Sequence, residues 1–153
     1  MQQMALSAMT SSQIPASLQP VLLFDDECGF CNAAVQTVLR RDKKRTLRFA
    51  SLHGEYGLHL RARRPDLNSV DSIVWFRPKD SDSGEFIAIR SDAALLIAQY
   101  LGGPFRLATT ARLIPRRLRD AAYDFVARHR HKLSPTPKEC LIPTPDQRSR
   151  FLA

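Results

Sequence analysis

Two unbroken apolar runs stand out in the pattern of hydrophobic and polar positions. Residues 21–24 (VLLF) and 73–76 (IVWF) have no polar interruption, which is typical of strands buried on both faces of a sheet. Residues 47–52 alternate as a half-covered strand does. Residues 86–89 follow the polar, turn-rich stretch PKDSDSGE, so we expect them to form a hairpin with 73–76.

Helical spacing separates these predicted strands. Positions 31, 34, 35 and 38 fall on one stripe and predict a helix over 32–41. A second, weaker helix is predicted over 55–64 and is stopped by Pro65.

The C-terminal half of the chain is predicted to be mainly helical. Ser91 is a natural N-cap for a helix over 92–101, which the two glycines at 102 and 103 end. A short helical piece is expected at 105–113, and Pro115 suits the first turn of a longer helix to about residue 133. One face of that helix, expected to pack on the core, carries Leu118, Ala122, Phe125, Val126, His129 and Leu133.

The predicted order is β-α-β-α-β-β-α with a helical C-terminal addition. The unbroken runs place the first and third strands centrally, with the second and fourth at the edges. This is the arrangement of the thioredoxin-like α/β fold, a mixed four-stranded sheet whose first strand leads into a helix carrying redox cysteines. We expect a flexible N-terminal extension over 1–19, a thioredoxin-like core over 20–103, and C-terminal helices with a surface tail over 104–153, packed on the same domain.

The stretch DDECGFCN, residues 25–32, carries the candidate chemistry. Cys28 would lie open to solvent at the start of the helix, where unpaired backbone N–H groups and the helix dipole favour a negative charge. Because the thiolate is the attacking species, Cys28 is the expected nucleophile. Cys31, one turn later on the buried stripe, would be the resolving thiol that attacks a mixed disulfide.

Three acids directly precede the pair. Asp25, Asp26 and Glu27 disfavour a nearby thiolate and partly offset the helix end, which suits a reductant or isomerase better than an oxidase. Asp25 follows a buried strand and is a candidate proton relay to Cys31. A simple turn or capping role for Asp25 and Asp26 explains them equally well.

Composition narrows the class of protein. Hydrophobic content of 44% and charged content of 25% are ordinary for a globular domain, and three cysteines are too few for a disulfide-stapled secreted scaffold. Neither a targeting signal nor a membrane-spanning run is visible, so we expect a cytoplasmic protein with reduced thiols.

The net charge of +8 comes mostly from arginine. Because no aromatic residues interleave with the arginines, we interpret them as solvated helix faces and expect no specific nucleic-acid binding.

Several segments occur in an order that resembles a known family. FDDECGFCNAAV, RSDAALLIAQYLGG, LIPRRLRDAAYDFVARHR and KECLIPTP resemble the DCC family of thioredoxin-like predicted thiol-disulfide oxidoreductases, over roughly residues 20–153. The resemblance implies reduction or exchange of disulfides in a protein or small-thiol substrate. It assigns Asp25, Cys28 and Cys31 to the N-terminal motif, Arg90, Ser91 and Asp92 to the middle motif, and Cys140, a candidate third thiol, to the C-terminal motif.

Two departures from the family pattern concern the substrate site. Asp26 stands where the family commonly has glycine, and residues 70–72 (VDS) hold no proline where thioredoxins place one opposite the cysteines. We expect Gly29 and Phe30, which separate the cysteines, and Ser72 to contact the substrate.

The motif at 90–92 has two interpretations. Arg90, Ser91 and Asp92 are candidates for substrate binding, and Arg90 is expected to pair with an acid at 25–27. The structural alternative is that Ser91 caps the helix and Asp92 suits its positive end.

A zinc site is the main alternative to redox chemistry. Cys28, Cys31 and Cys140, with His129 or His131, would supply a Cys3His set in a non-catalytic thioredoxin-like binding module. A structural zinc site usually draws on two paired ligand sets, however, and Cys140 has no close partner in the sequence. We therefore predict no metal and interpret His129 as a core histidine. No dinucleotide or Walker pattern is present, so no cofactor is expected.

Overall fold

The computed structural model of the chain describes residues 18–80, 84–133 and 143–153. Its strands and α-helices are, in chain order, β1 (Val21–Phe24), α1 (Gly29–Arg41), β2 (Arg48–Ser51), α2 (Glu55–Arg63), β3 (Val74–Arg77), β4 (Phe86–Ile89), α3 (Arg90–Leu101), α4 (Arg116–Leu133), α5 (Pro145–Arg148) and β5 (Phe151–Leu152). Two 3-10 helical stretches cover Pro65–Leu67 and Gly103–Leu113. The predicted extension lies, for residues 1–17, outside the described residues.

The strands form one mixed sheet in the order β4-β3-β1-β2-β5. β1 runs parallel to β2, and β3 is antiparallel to both of its neighbours, β1 and β4. This α/β architecture is consistent with the predicted thioredoxin-like fold, and the first and third strands are central as predicted. The prediction of four strands with β2 at an edge is wrong, because β5 pairs with β2 and places Phe151 opposite Phe49.

The sheet is covered on both faces, which explains its unbroken apolar strands. Successive side chains of a strand point to opposite faces. On one face Leu22 and Phe24 pack with residues of α1 and α3, while on the other Val21 and Leu23 pack with α2. All four β1 side chains are therefore buried.

The last strand is held by a buried ion pair. The Arg150 guanidinium contacts the fully buried Asp42 carboxylate, which follows α1, and donates to the Leu47 carbonyl oxygen at 3.0 and 3.1 Å. The same guanidinium lies 5.1 Å from the centre of the Phe49 ring. The expectation that the whole C-terminal tail lies on the surface is therefore wrong for its last residues. A two-residue strand has too little periodicity to be recognised in a sequence.

Helix α4 turns the predicted core face outward. Leu118 and Phe125 are 63% and 58% exposed. His129 is not a core histidine, because it is only partly buried; its Nδ1 lies 2.7 Å from the Phe125 carbonyl oxygen one turn earlier. Spacing identifies which residues share a helix face, whereas the contacts of α4 with α3 decide which face points inward.

Among the described residues, no helix combines the length and apolar content needed to cross a bilayer.

Replacing Arg150 by alanine tests the buried ion pair. Arg150→Ala leaves the Asp42 carboxylate buried without its partner, so we expect the free energy of unfolding to fall by about 3 kcal/mol. Arg148→Ala, at an exposed arginine two residues earlier, is the matched control and is expected to change it by less than about 0.5 kcal/mol. Urea denaturation measures both, and equal midpoints for the two variants would contradict the role of the pair.

Candidate active site

Cys28 lies at the start of α1, a short turn after the first strand. A turn over residues 25–27 follows β1, and the Cys28 N–H donates to the Asp25 carbonyl oxygen at 3.3 Å. Cys28 is the N-cap of α1, and its Sγ accepts a hydrogen bond from the Cys31 N–H at 3.5 Å. The structure thus places Cys28 at the helix start that the sequence predicts.

Neither sulfur is open to solvent. Cys28 is 3% exposed and Cys31 is 4% exposed, so the expectation of a solvent-accessible Cys28 is wrong. Both cysteines are free thiols and belong to the hydrophobic cluster that contains Phe24 and Val35. The reason is packing: the pair is enclosed by side chains of β1, α1 and α3, and α4 lies beside Cys31, contacts that the sequence did not reveal.

Burial dominates the chemistry of Cys31. It raises the pKa of the Cys31 thiol from 9.0 to about 12, and the hydrogen bond to Cys28 and the Cys28 charge act in the same direction. Arg130 lowers this pKa and Asp25 raises it, both more weakly. At neutral pH Cys31 therefore keeps its proton and can donate it in a hydrogen bond to the Cys28 sulfur.

Helix α4 brings two further side chains to the site. Arg130 lies 4.0 Å from Asp25 Oδ2 and donates to the Asp71 carbonyl oxygen at 3.2 Å. Burial raises the pKa of Tyr123, the charge of Cys31 acts in the same direction, and a hydrogen bond with Ser72 lowers it. Arg130 and Tyr123 were missed because they lie on the polar side of α4, while the sequence pattern drew attention to its apolar side.

A cavity of about 210 Å³ adjoins Cys31. Apart from Cys31 its walls are mainly apolar, with polar groups from α4 and the loop before β3: Phe30, Ser72, Ile73, Ala94, Tyr123, Val126, Ala127 and Arg130. Of the six residues expected at the substrate, Phe30 and Ser72 line this cavity, whereas Gly29 does not. A wider, charged cleft of about 600 Å³ shares Ala127 and Arg130 with this cavity and also contains Arg90.

The motif at 90–92 joins α3 to α4. The Ser91 hydroxyl donates to the Asp120 carboxylate, and Asp92 contacts Arg119 at 3.0 Å. Ser91 is not the helix cap, because α3 begins at Arg90 and Ile89 is its N-cap residue. The side chains of Ser91 and Asp92, which the sequence also offered as substrate-binding residues, are thus engaged in contacts between α3 and α4.

Arg90 does not reach the acids before the cysteines. Its Nε lies 3.7 Å from the Asp124 carboxylate on α4, so the expected pairing with residues 25–27 is wrong. Arg90 also has a positive φ of 55°, a left-handed conformation that is uncommon for a residue other than glycine. Arg90 directly follows β4 and is the first residue of α3, so no loop separates the strand from the helix.

The acids before Cys28 make local contacts. Asp25 Oδ1 accepts from the Glu27 N–H at 3.0 Å and lies 3.7 Å from His53 Nε2. Asp26 accepts from the Ser51 hydroxyl at 2.7 Å and has no positive φ, so aspartate fits the position where the family commonly has glycine. Among the described residues, Asp25, Asp26 and His53 are the group close enough to share a cation; Asp26 and His53 are exposed, and Asp25 is partly buried.

The residues of the alternative zinc site are not assembled in the described part of the chain. His129 does not approach Cys28 and Cys31. Cys140 and the His131 side chain lie outside the described residues, so a role for Cys140 as a third thiol stays a prediction.

A dithiol at the start of a helix, on a sheet of this order, is the arrangement expected of a thiol-disulfide oxidoreductase. The DCC1-like thiol-disulfide oxidoreductase family matches residues 22–135, and the chain belongs to this family. The resemblance found in the motifs is therefore confirmed.

Two relatives align with most of the chain. YuxK of Bacillus subtilis (strain 168), itself uncharacterised, is 36% identical over 145 residues, which cover 94% of this chain and 99% of YuxK. A chloroplastic DCC family protein of Arabidopsis thaliana is 34% identical over 135 residues, which cover 86% of this chain and 74% of that protein. No solved structure matches the chain.

The two thiols are expected to differ in their reaction with iodoacetamide. At pH 8 the Cys31 thiol, with a pKa of about 12, is ionised to roughly one part in ten thousand, against about one in ten for the same thiol at its ordinary pKa of 9.0. We expect Cys28 to be labelled first in the native protein, with Cys31 reacting appreciably only above about pH 10. Peptide mapping by mass measures this, with urea-unfolded protein as the control in which both react alike. Equal native labelling at pH 8 would contradict the raised pKa of Cys31.

Proposed function

We propose that this chain is an enzyme that reduces or exchanges disulfides through alternation of Cys28 and Cys31 between dithiol and disulfide. The hydrogen bonding of one sulfur supports this. Cys28 Sγ accepts from the Cys31 N–H at the start of α1, and the Cys31 thiol donates to it as well. Both donors and the helix dipole stabilise negative charge on Cys28, which makes Cys28 the nucleophile and Cys31 the resolving thiol.

The reaction has two exchange steps. The Cys28 thiolate attacks a substrate disulfide, forms a mixed disulfide and expels the first substrate thiolate. Cys31 then loses its proton and attacks Cys28 Sγ, which releases the second substrate thiolate and leaves a Cys28–Cys31 disulfide. The substrate gains two electrons and, after protonation, two protons. A cellular thiol or dithiol reduces the pair again by the same chemistry.

The resolving step requires a base, because Cys31 holds its proton tightly. Asp25 is our candidate, since its carboxylate is close enough to influence the pKa of Cys31 and its side chain is only 15% exposed. Arg130, 4.0 Å from Asp25, favours the thiolate that forms on Cys31. In this proposal Asp25 takes the proton while Arg130 stabilises the developing charge.

The cavity beside Cys31 is the proposed binding site for one arm of the substrate. Its size suits a small apolar group next to the disulfide, such as a side chain of a peptide or the body of a small thiol. The adjoining cleft, which includes Arg90, would receive the polar remainder. Because both sulfurs are buried, side chains over the pair must move before Cys28 can form a mixed disulfide.

A reducing compartment would return the Cys28–Cys31 disulfide of the proposed cycle to the dithiol. We propose the cytoplasm for this chain, although the plant relative is chloroplastic. No bound cofactor is needed for the proposed cycle, since both electrons are held by the sulfur atoms.

Mass spectrometry of the oxidised and reduced protein tests the proposal. We expect oxidised glutathione to remove two hydrogens, mapped to Cys28 and Cys31, and dithiothreitol to restore them. In insulin reduction, Cys28→Ser should lose activity to background, and Cys31→Ser should accumulate a mixed disulfide at Cys28 without turnover. Retained activity of Cys28→Ser would contradict the assigned nucleophile.

The Cys140→Ala variant separates the redox proposal from the zinc alternative. If Cys28 and Cys31 are a redox pair, Cys140→Ala still forms their disulfide, and the purified protein contains no stoichiometric zinc. Stoichiometric zinc that is lost in Cys140→Ala would overturn the catalytic proposal in favour of a metal-holding binding module.

Removing the charge of Arg130 should slow the resolving step. Arg130→Gln takes away the group that lowers the pKa of Cys31, so its thiolate forms at higher pH. We expect the mixed disulfide to decay about threefold to tenfold more slowly at pH 7, with the pH profile displaced to the alkaline side. Arg117→Gln, at an exposed arginine on α4, is the matched control. An unchanged pH profile in Arg130→Gln would contradict this role.

A further inference from the structure

Helix α4 presents its polar side to the protein and its apolar side to solvent. Arg119 and Arg130 have side chains only 13% and 16% exposed, and Tyr123 between them is partly buried. Leu118 and Phe125, on the opposite side, are largely exposed. A surface helix ordinarily does the reverse, with its apolar stripe facing the core.

Polar contacts fix this orientation. Asp92 of α3 lies 3.0 Å from Arg119 and 3.2 Å from Arg116, and the Ser91 hydroxyl donates to Asp120. These contacts hold the polar side of α4 on α3 and leave its apolar side without a partner among the described residues.

The exposed apolar stripe begins before the helix. Leu118 and Arg119 N–H groups both donate to the Pro115 carbonyl oxygen, so the helical path already includes Pro115. Ile114, one turn before Leu118, is 47% exposed, and the adjacent Leu113 is almost fully exposed. We call the surface formed by Leu113, Ile114, Leu118, Ala122 and Phe125 the apolar stripe.

The charges around the apolar stripe are basic. Arg117 and Arg128 are exposed and make no ion pair with a carboxylate among the described residues. The two acids of α4, Asp120 and Asp124, are instead engaged by residues of α3. The solvent side of α4 therefore combines apolar side chains with uncompensated positive charge.

We propose that the apolar stripe and its flanking arginines dock the protein onto an anionic lipid surface, with α4 lying in the plane of the interface. A helix with a Leu- and Phe-bearing face, flanking basic residues and low overall hydrophobicity binds membranes in this way. Apolar side chains enter the boundary between headgroups and acyl chains, while arginines attract acidic headgroups.

A second copy of the chain fits this surface less well. A symmetric dimer through the apolar stripe would use the same patch on both copies. It would bring Arg117 and Arg128 of one copy towards the same arginines of the other, with no acid on the stripe to compensate. Like charges held close at an interface oppose association.

Flotation with lipid vesicles tests the proposal on the full-length protein. We expect the protein to float with phosphatidylcholine vesicles that contain about 30% phosphatidylglycerol, and to remain unbound with phosphatidylcholine alone. Raising salt to about 0.5 M should weaken binding, because it screens the arginines. No flotation with the anionic vesicles at low salt would overturn the proposal, as would equal binding to both vesicle types.

Substitutions on the apolar stripe complete the test. Leu118→Gln with Phe125→Gln should reduce the vesicle partition coefficient by about tenfold or more, since both side chains would enter the lipid. Leu58→Gln, at a leucine on α2 that is 55% exposed, is the matched control and should leave it unchanged. Circular dichroism checks that the variants fold. An unchanged partition coefficient in the double variant overturns the proposal. It is also overturned if the wild-type protein does not bind vesicles but forms a dimer in solution, and the double variant is a monomer.

Discussion

The polar junction between α3 and α4 is the interaction on which the candidate site depends. Ser91 and Asp92 engage Asp120 and Arg119, and these contacts fix the rotation of α4 about its own axis. That rotation sends Arg130 to the cysteine pair and leaves the apolar stripe outside. In the proposed function the motif at 90–92, which the sequence offered as a substrate site, therefore acts indirectly, because it positions the helix that carries Arg130. Breaking one partner of such a part-buried contact would leave the other charge uncompensated.

Burial has two opposed consequences for the dithiol. It keeps the proton on Cys31, which can then donate to the Cys28 sulfur and favour negative charge there. The same burial excludes solvent from both sulfurs and slows any reagent that must reach them. The cavity at Cys31 relieves the conflict in part, because it opens a space beside this thiol without exposing Cys28 to bulk water. In the proposed cycle a substrate therefore has to fit this space before exchange at Cys28 can begin.

The sequence predicted those features that depend on local pattern. Unbroken apolar runs identified β1 and β3 because both faces of the sheet are covered, and the position of Cys28 after β1 located the start of α1. Features that depend on long-range contacts were missed. The ion pair of Arg150 with Asp42 joins residues 108 positions apart, and β5 is too short to show any periodicity. Periodicity also grouped the apolar residues of α4 correctly, but it carries no information on which side of a helix a partner lies.

The two sides of α4 link the proposed chemistry to the proposed lipid contact. Val126 lies between the two sides of α4: it lines the cavity beside Cys31, and it is 39% exposed next to the apolar stripe. Docking of the stripe would therefore hold one rim of the cavity close to the lipid surface. Disulfides attached to apolar groups concentrate at such surfaces, because their apolar parts leave water there. The two proposals remain physically separable, however: neither Leu118 nor Phe125 lines the cavity, so we expect changing them to alter lipid binding and to leave the dithiol itself intact.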